Sequence, residues 1–316
     1  MSSVCIFIQV LKTGKNMKNN NLIAITVDVE DNKLHSDFNY TNVINALKYS
    51  QKTIDKISET FSCEIPVTWF LRCDDTVAQA LGKPEGFIEC ISQFIEKRLK
   101  MGDLFGIHPH FEINKNNKWY KENRLTKQSE LLERAAEGWR NFFGTYPIFS
   151  RMGEAFMNNT ISIKLDEIGI KIDSTALPGR KRKDIDFNFD WQITPSCPYK
   201  PSVKDYRVPD SQNSLRFIEL PFTMVNILGS NDSNFLKRYF NLAFKKKLIK
   251  EPIEELPKEK LRLLATFHTH EIVPNTKKSN FFPKKNNDIL SNLQNLKQEI
   301  KNLKFVNIEN FIEINT

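Results

Sequence analysis

The run Leu22-Ile23-Ala24-Ile25-Thr26-Val27-Asp28-Val29-Glu30-Asp31 decides the fold class. It is a short, apolar, β-branched stretch that ends in carboxylates, and a helix follows it. Val43, Ile44, Leu47, Ile54, Ile57 and Phe61 recur near every 3.6 residues, which gives that helix one apolar face to lay on a sheet. The strand–helix pair then repeats. Pro66–Arg72 reads as a second strand, residues 84–100 as a helix stopped at Gly102, and Leu104–His108 as a third strand. A helix capped by Thr126 and ended at Gly144 precedes a fourth strand, Pro147–Arg151. Met157–Ile168 reads as a helix, Ile170–Asp173 as a fifth strand and Arg216–Pro221 as a sixth. Asn234–Leu248 follows as a helix, Leu261–His268 as a seventh strand and Asp288–Leu303 as a last helix. Strands alternating with amphipathic helices specify parallel βα units, so the expected fold is α/β with about seven parallel strands. Residues 176–215 break the series, with five prolines and Trp191, Tyr199 and Tyr206 in no sustained period. A stretch of that kind is expected to be a lid or substrate loop.

The remaining composition bounds the function. The chain has 316 residues, 40% of them hydrophobic and 27% charged, enough apolar side chains for one barrel-sized core. Residues 1–20 are expected to be an N-terminal extension and 21–316 a single domain. The formal charge of +8 attracts anionic partners, but most of the excess is lysine on polar helix faces. The compact cluster Arg180-Lys181-Arg182-Lys183 lacks the interleaved aromatics that stack bases, which argues against nucleic acid as a partner. The apolar run Val4–Leu11 is shorter than the roughly 20 residues of a membrane span. Its positive charges, Lys12 and Lys15, follow it rather than precede it, unlike a secretory signal. Five cysteines, an odd number with no CxxC pair, fit a reducing compartment, and a cytoplasmic protein is expected.

Ionisable groups gather at predicted strand ends, which in a parallel α/β barrel surround one active site. Side chains alternate along a strand, so Asp28 and Glu30 share a face, and the same two-residue period puts His108 and His110 of Gly106-Ile107-His108-Pro109-His110 on one face, close enough to chelate one ion. Two imidazoles and a carboxylate with open positions form a ligand set for a catalytic metal. Arg151 ends the fourth strand and His268 the seventh, in Phe267-His268-Thr269-His270-Glu271. Four of the five histidines therefore fall in two His-x-His pairs at strand ends, and His35 alone stands apart. Either Glu30 or Asp31 can supply the carboxylate ligand.

The blocks Thr-Val-Asp-Val-Glu-Asp (26–31), Gly-Ile-His-Pro-His-Phe (106–111), Ser-Arg-Met-Gly-Glu (150–154), Gly-Ile-Lys-Ile-Asp-Ser-Thr (169–175), Ile-Glu-Leu-Pro-Phe (218–222) and Phe-His-Thr-His-Glu (267–271) resemble, in order, those of the polysaccharide deacetylase (NodB-homology) superfamily. The resemblance implies that the α/β fold is an irregular (β/α) barrel, and that the protein is a metal-dependent hydrolase of carbon–nitrogen bonds that removes an acetyl group from an N-acetylated sugar or glycan precursor. It implies Asp28 as catalytic base, Arg151 as the residue orienting it, and His268 as general acid supported by Asp173. It also implies Glu30, His108 and His110 as ligands of a divalent ion, most readily Zn²⁺. Arg72 and Asp74 after the second strand, with Trp191 and Tyr199 of the long loop, are expected to shape the sugar pocket, although the aromatics could equally pin the loop. The chain departs from the commonest family pattern in having Asp-x-Glu where adjacent aspartates are usual, and His-x-His where the two histidines are usually three residues apart. Two alternatives remain open: hydrolysis of a small ureide- or imide-like amide, and a barrel that binds a glycan without catalysis.

Overall fold

The computed structural model describes residues 20–30, 40–116, 118–183, 188–274, 279–284 and 287–313. The extension expected at residues 1–20 therefore falls almost wholly outside the described residues, as do Asp31 and His35. Numbered in chain order, the main sheet consists of β1 (Asn21–Val29), β2 (Val67–Leu71), β3 (Leu104–Ile107), β4 (Phe149–Ser150), β5 (Ile172–Asp173), β6 (Ile218–Glu219), β7 (Arg262–His268) and β8 (Leu303–Val306). All its pairings are parallel, in the order β6-β5-β4-β3-β2-β1-β7, and β8 pairs with the start of β1 below the point where β2 joins. The fold is thus an irregular α/β barrel, as expected. It is open between β6 and β7, where the segment around Asn241 fills the seam. Thr266 donates its backbone N–H to Phe240, Leu242 donates to Thr266, and Leu264 donates to the Thr223 hydroxyl.

Alternation along β1 builds two environments. Ile23, Ile25, Val27 and Val29 point outward into the core shared with the surrounding helices, among them α1 (Tyr40–Phe61), whose Val43, Leu47, Ile54 and Ile57 form the apolar stripe read from the sequence. Leu22 and Ala24 point inward and pack with Leu264, Phe70 and a short helix, Ile308–Glu313, through Ile308, Phe311 and Ile312. Hydrocarbon therefore fills the bottom of the barrel. On the same inward face come Thr26, then Asp28, then Glu30, so one strand climbs from apolar floor to carboxylate rim.

Several sequence expectations need correction. Residues 234–248 are not a helix: Leu236–Tyr239 pairs with Met224–Ile227 in an antiparallel hairpin, and the helix begins later, at Lys246–Glu255. Phe240 to Leu242 is needed to seal the seam beside β7, and that tertiary pairing overrides the local apolar spacing. The last predicted helix ends at Glu299, and Leu303–Val306 turns into β8. The helix at 84–100 is two pieces, Gly86–Cys90 and Ser92–Leu99. A hairpin of Glu112–Lys115 with Lys118–Lys121 follows β3, and the supposedly irregular 176–215 contains another, Lys181–Lys183 with Asn188–Asp190. Among the described residues, no helix is long and apolar enough to cross a membrane.

Candidate active site

The register fixes the centre of the site, because Asp28 of β1 lies directly beside His268 of β7. Neighbouring strands are about 4.8 Å apart, so two inward side chains at one rung face the same small volume. His268 Nε2 stands 3.5 Å from Asp28 Oδ2 and 3.6 Å from Glu30 Oε1. From β4, Arg151 donates through Nη1 to Asp28 Oδ1 at 2.7 Å and through Nη2 to the Thr26 hydroxyl at 3.0 Å. Its Nε donates to the Ser174 carbonyl, and its guanidinium is sandwiched between Phe70 and Phe222, each ring centre 4.3 Å away. Burial opposes the charge on Asp28, but Arg151, with His108 and His268, outweighs it and holds the carboxyl below its ordinary range.

Across from this pair, Glu30, His108 and His110 bring one ligand atom each to within 4.8 Å of one another. His108 Nδ1 lies 2.8 Å from the Arg151 carbonyl, which can only accept, so Nδ1 carries the proton and Nε2 presents a lone pair. That buried Nε2 has no hydrogen-bond partner, and it faces Glu30 Oε2 at 3.4 Å. His110 Nε2 lies 3.0 Å from the same oxygen. Burial works against ionised Glu30, yet the two imidazoles beside it hold it well below the ordinary carboxylate range. Two neutral-capable imidazoles and an ionised carboxylate around an unsatisfied nitrogen fit a divalent ion. The turn after β4 makes room for this set, since a Cβ on Gly153 would fall 2.1 Å from Cδ2 of His110. A second group, His110 with Glu112 and Glu154, is bridged instead by Lys121, 3.0 Å from Glu112 and also bonded to Glu154.

The carboxylate that supports His268 is not Asp173. His268 Nδ1 lies 3.0 Å from Glu271 Oε1, whose other oxygen accepts from the His268 backbone at 2.8 Å and from Asn241 Nδ2 at 2.8 Å. Burial disfavours the imidazolium, but Glu271, then Asp28 and Glu30, outweigh this and raise His268 to about 10. Asp173 accepts from Ser150 at 2.5 Å and shares its surroundings with Glu219; burial pushes both acids up, Glu219 well above its ordinary range. The sequence held the signal for Glu271, a His-x-x-Glu spacing that a single helical turn (Thr269–Ile272) brings together.

A cavity of about 420 Å³ opens above these groups, and Asp28, Glu30, His108, His110, Arg151 and His268 all line it. Arg72, Asp74, Trp191 and Tyr199 do not. Arg72 bonds Asp74 at 2.6 Å and lies 3.9 Å from Glu30, while Asp74 accepts the His110 N–H at 3.1 Å and caps the helix Asp75–Leu81. Together they bracket the ligand set from behind. Trp191 is buried, donating to the Ala155 carbonyl at 2.9 Å and stacking edge-on with Tyr206, and Tyr199 donates to the Tyr206 carbonyl, so both pin the loop. The aromatic wall that sequence reasoning missed is Phe189, Phe222, Tyr239, Phe244, Phe281 and Phe282. Those residues are scattered over four segments, with no shared local pattern.

No family model matches the chain, and no curated protein matches it by sequence. Solved structures do share its fold. A probable polysaccharide deacetylase from Pseudomonas aeruginosa PAO1 superposes with a TM-score of 0.51 at 10% identity, covering 94% of this chain and 91% of that one. A Puue allantoinase superposes with a TM-score of 0.50 at 13% identity, covering 95% of this chain and 91% of its own.

Proposed function

We propose that the protein is a metal-dependent hydrolase that removes an acyl group, acetyl in the first instance, from the nitrogen of an N-acetylated sugar or glycan precursor. The observation that carries this is the convergence, on one cavity floor, of the Arg151-held carboxylate Asp28, the Glu271-held imidazole His268 and the donor set Glu30, His108 and His110. A binding barrel has no use for all three. Those donors would hold a divalent ion, Zn²⁺ by their chemistry, and such an ion polarises a carbonyl and acidifies water. Asp28, kept ionised by Arg151, takes the proton of the attacking water. His268, kept cationic by Glu271, returns a proton to the departing nitrogen, without which the amine is a poor leaving group. Arg72 and Asp74 hold Glu30 and His110 in place. A cytoplasmic setting belongs to the same proposal, on the odd and unclustered cysteines.

Acetate release from a panel of N-acetylated sugars, with metal analysis of the same samples, tests it. Asp28→Asn is expected to keep its metal and lose about 10²–10⁴-fold in turnover. His108→Ala and His110→Ala are expected to lose metal. Near-normal turnover in Asp28→Asn, or equal metal in all three variants and wild type, would sink the proposal. A second reading, hydrolysis of a small ureide, is favoured by one observation, the fold shared with an allantoinase. Turnover of allantoin without any acetate release would select it.

A further inference from the structure

The cavity has a carboxylate floor and a basic wall. Arg180, Arg182 and Arg238 line it from two hairpins, Lys181–Lys183 with Asn188–Asp190 and Met224–Ile227 with Leu236–Tyr239, beside Phe189 and Phe281. We infer that the substrate carries an anionic group, a phosphate or a carboxylate, which this wall grips while the acylated nitrogen sits over Asp28 and His268. The inference rests on the function proposed above and specifies its substrate class.

The floor carboxylates are already committed: Asp28 to Arg151, Glu30 to the two imidazoles, Glu271 to His268. They do not neutralise the wall. Among the described residues no carboxylate lies within ion-pair distance of Arg180, whose guanidinium donates through Nη1 to the Lys237 carbonyl at 2.5 Å. Arg238 and Arg182 act on it as like charges, and Asp232, paired to Arg238, offsets them only in part. Burial and then Arg238 and Arg182 push the Arg180 pKa down, the direction expected of a half-buried cation among like charges. Arg238 is paired on one edge, Nη2 to Asp232 at 2.9 and 3.1 Å, and lies 4.5 Å over the Phe281 ring. Its Nε is buried and has no hydrogen-bond partner.

A half-buried guanidinium with no carboxylate in ion-pair contact among the described residues, and a neighbour with an orphaned N–H, form a site open to an anion. A planar fork of donors matches the oxygens of phosphate or carboxylate, and binding one relieves the repulsion between the cations. The bond from Arg180 to the Lys237 carbonyl ties the two hairpins into one rim, so the grip is held by backbone rather than by free side chains. A cavity of about 420 Å³ is of the size that encloses a small ligand, one sugar ring with its charged substituent.

Three sugars with the same N-acetyl group separate the possibilities: methyl N-acetylglucosaminide, N-acetylglucosamine 1-phosphate and N-acetylmuramic acid. The expected result is a kcat/KM about 10- to 100-fold higher for one or both anionic sugars than for the neutral one, the range of a charge-assisted contact. The better of the two anionic arms identifies the group as phosphate or carboxylate. Arg180→Gln and Arg238→Gln, each checked for an unchanged melting temperature, are expected to erase most of that preference. Calorimetric binding of the same sugars to the Asp28→Asn protein reads the contact without turnover. Equal kcat/KM for neutral and anionic sugars, or a preference that survives both arginine variants, overturns the inference while leaving the proposed deacylation standing. Arginine-dependent binding of an anionic sugar with no acetate released from any of the three would instead retain the anion site and overturn the deacylation.

Discussion

At the level of single residues, the same chemical groups serve opposite ends because of what lies beside them. Asp28 and Asp173 both lie at the ends of strands, but a guanidinium holds one below its ordinary range, while burial raises the other. His268 and His270 sit two apart, and burial with the neighbouring His268 charge pushes His270 down while Glu271 lifts His268. In the proposed mechanism Glu271 would therefore set the alkaline limit of catalysis. A group raised by its partner stays charged until pH passes its folded pKa, so proton donation by His268 is expected to persist through neutrality and fade above it. Glu271→Gln keeps an oxygen for Nδ1 but removes the counter-charge, and the alkaline limb of kcat is expected to move about 1–3 pH units lower. A pH profile with an unmoved limb would show that another group supplies the proton. Asp28, Glu30, His108, His110, Arg151 and His268 were all legible as strand-end residues, because period-two alternation and chain order are local facts. Asp173 was misplaced as the partner of His268, because which carboxylate meets which imidazole depends on the distance between strands that no spacing records.

At the level of elements, the strands β1 to β7 were readable and the eighth strand and the 224–239 hairpin were not. β1 and α1 carry enough apolar residues to declare a period, and β4, β5 and β6, two residues each, lie within the stretches 147–151, 170–173 and 216–221. Leu236–Tyr239 and Leu303–Val306 fall in or at the end of stretches whose apolar spacing reads as helix, and their pairing with other strands decides otherwise. β5 and β6 are joined at their ends by the Asp173–Glu219 pair, and Glu219 also accepts the backbone N–H groups of Thr175 and Ala176. Burial, then Asp173, raises Glu219 well above its ordinary range. For an acid raised by folding, the stability it lends is complete below the unfolded pKa, about 4.3, and is lost as pH climbs through the folded value. Glu219→Gln mimics the protonated form at every pH. It is expected to flatten the alkaline fall in stability, with a gain on the order of 1–3 kcal/mol where wild-type Glu219 would otherwise ionise. Urea midpoints from pH 5 to 9 check it, and parallel curves for the two proteins would show that the pair holds no proton.

At the level of the whole molecule, the barrel puts its chemistry on backbone. Asp28 and His268 are partners on one rung of the β1–β7 ladder, so their separation is a lattice constant of the sheet rather than a property of two adjustable side chains. Heating can loosen a loop-borne site long before a protein melts, but a distance set by paired strands cannot drift while the ladder stays zipped. Thermal inactivation is therefore expected to follow amide exchange in Val27 and Phe267 and to coincide with global melting, with no warmer interval in which a folded chain is idle. An inactivation midpoint several degrees below the melting midpoint would mean that the hairpins around the cavity, not the central ladder, are the first part of the machine to fail.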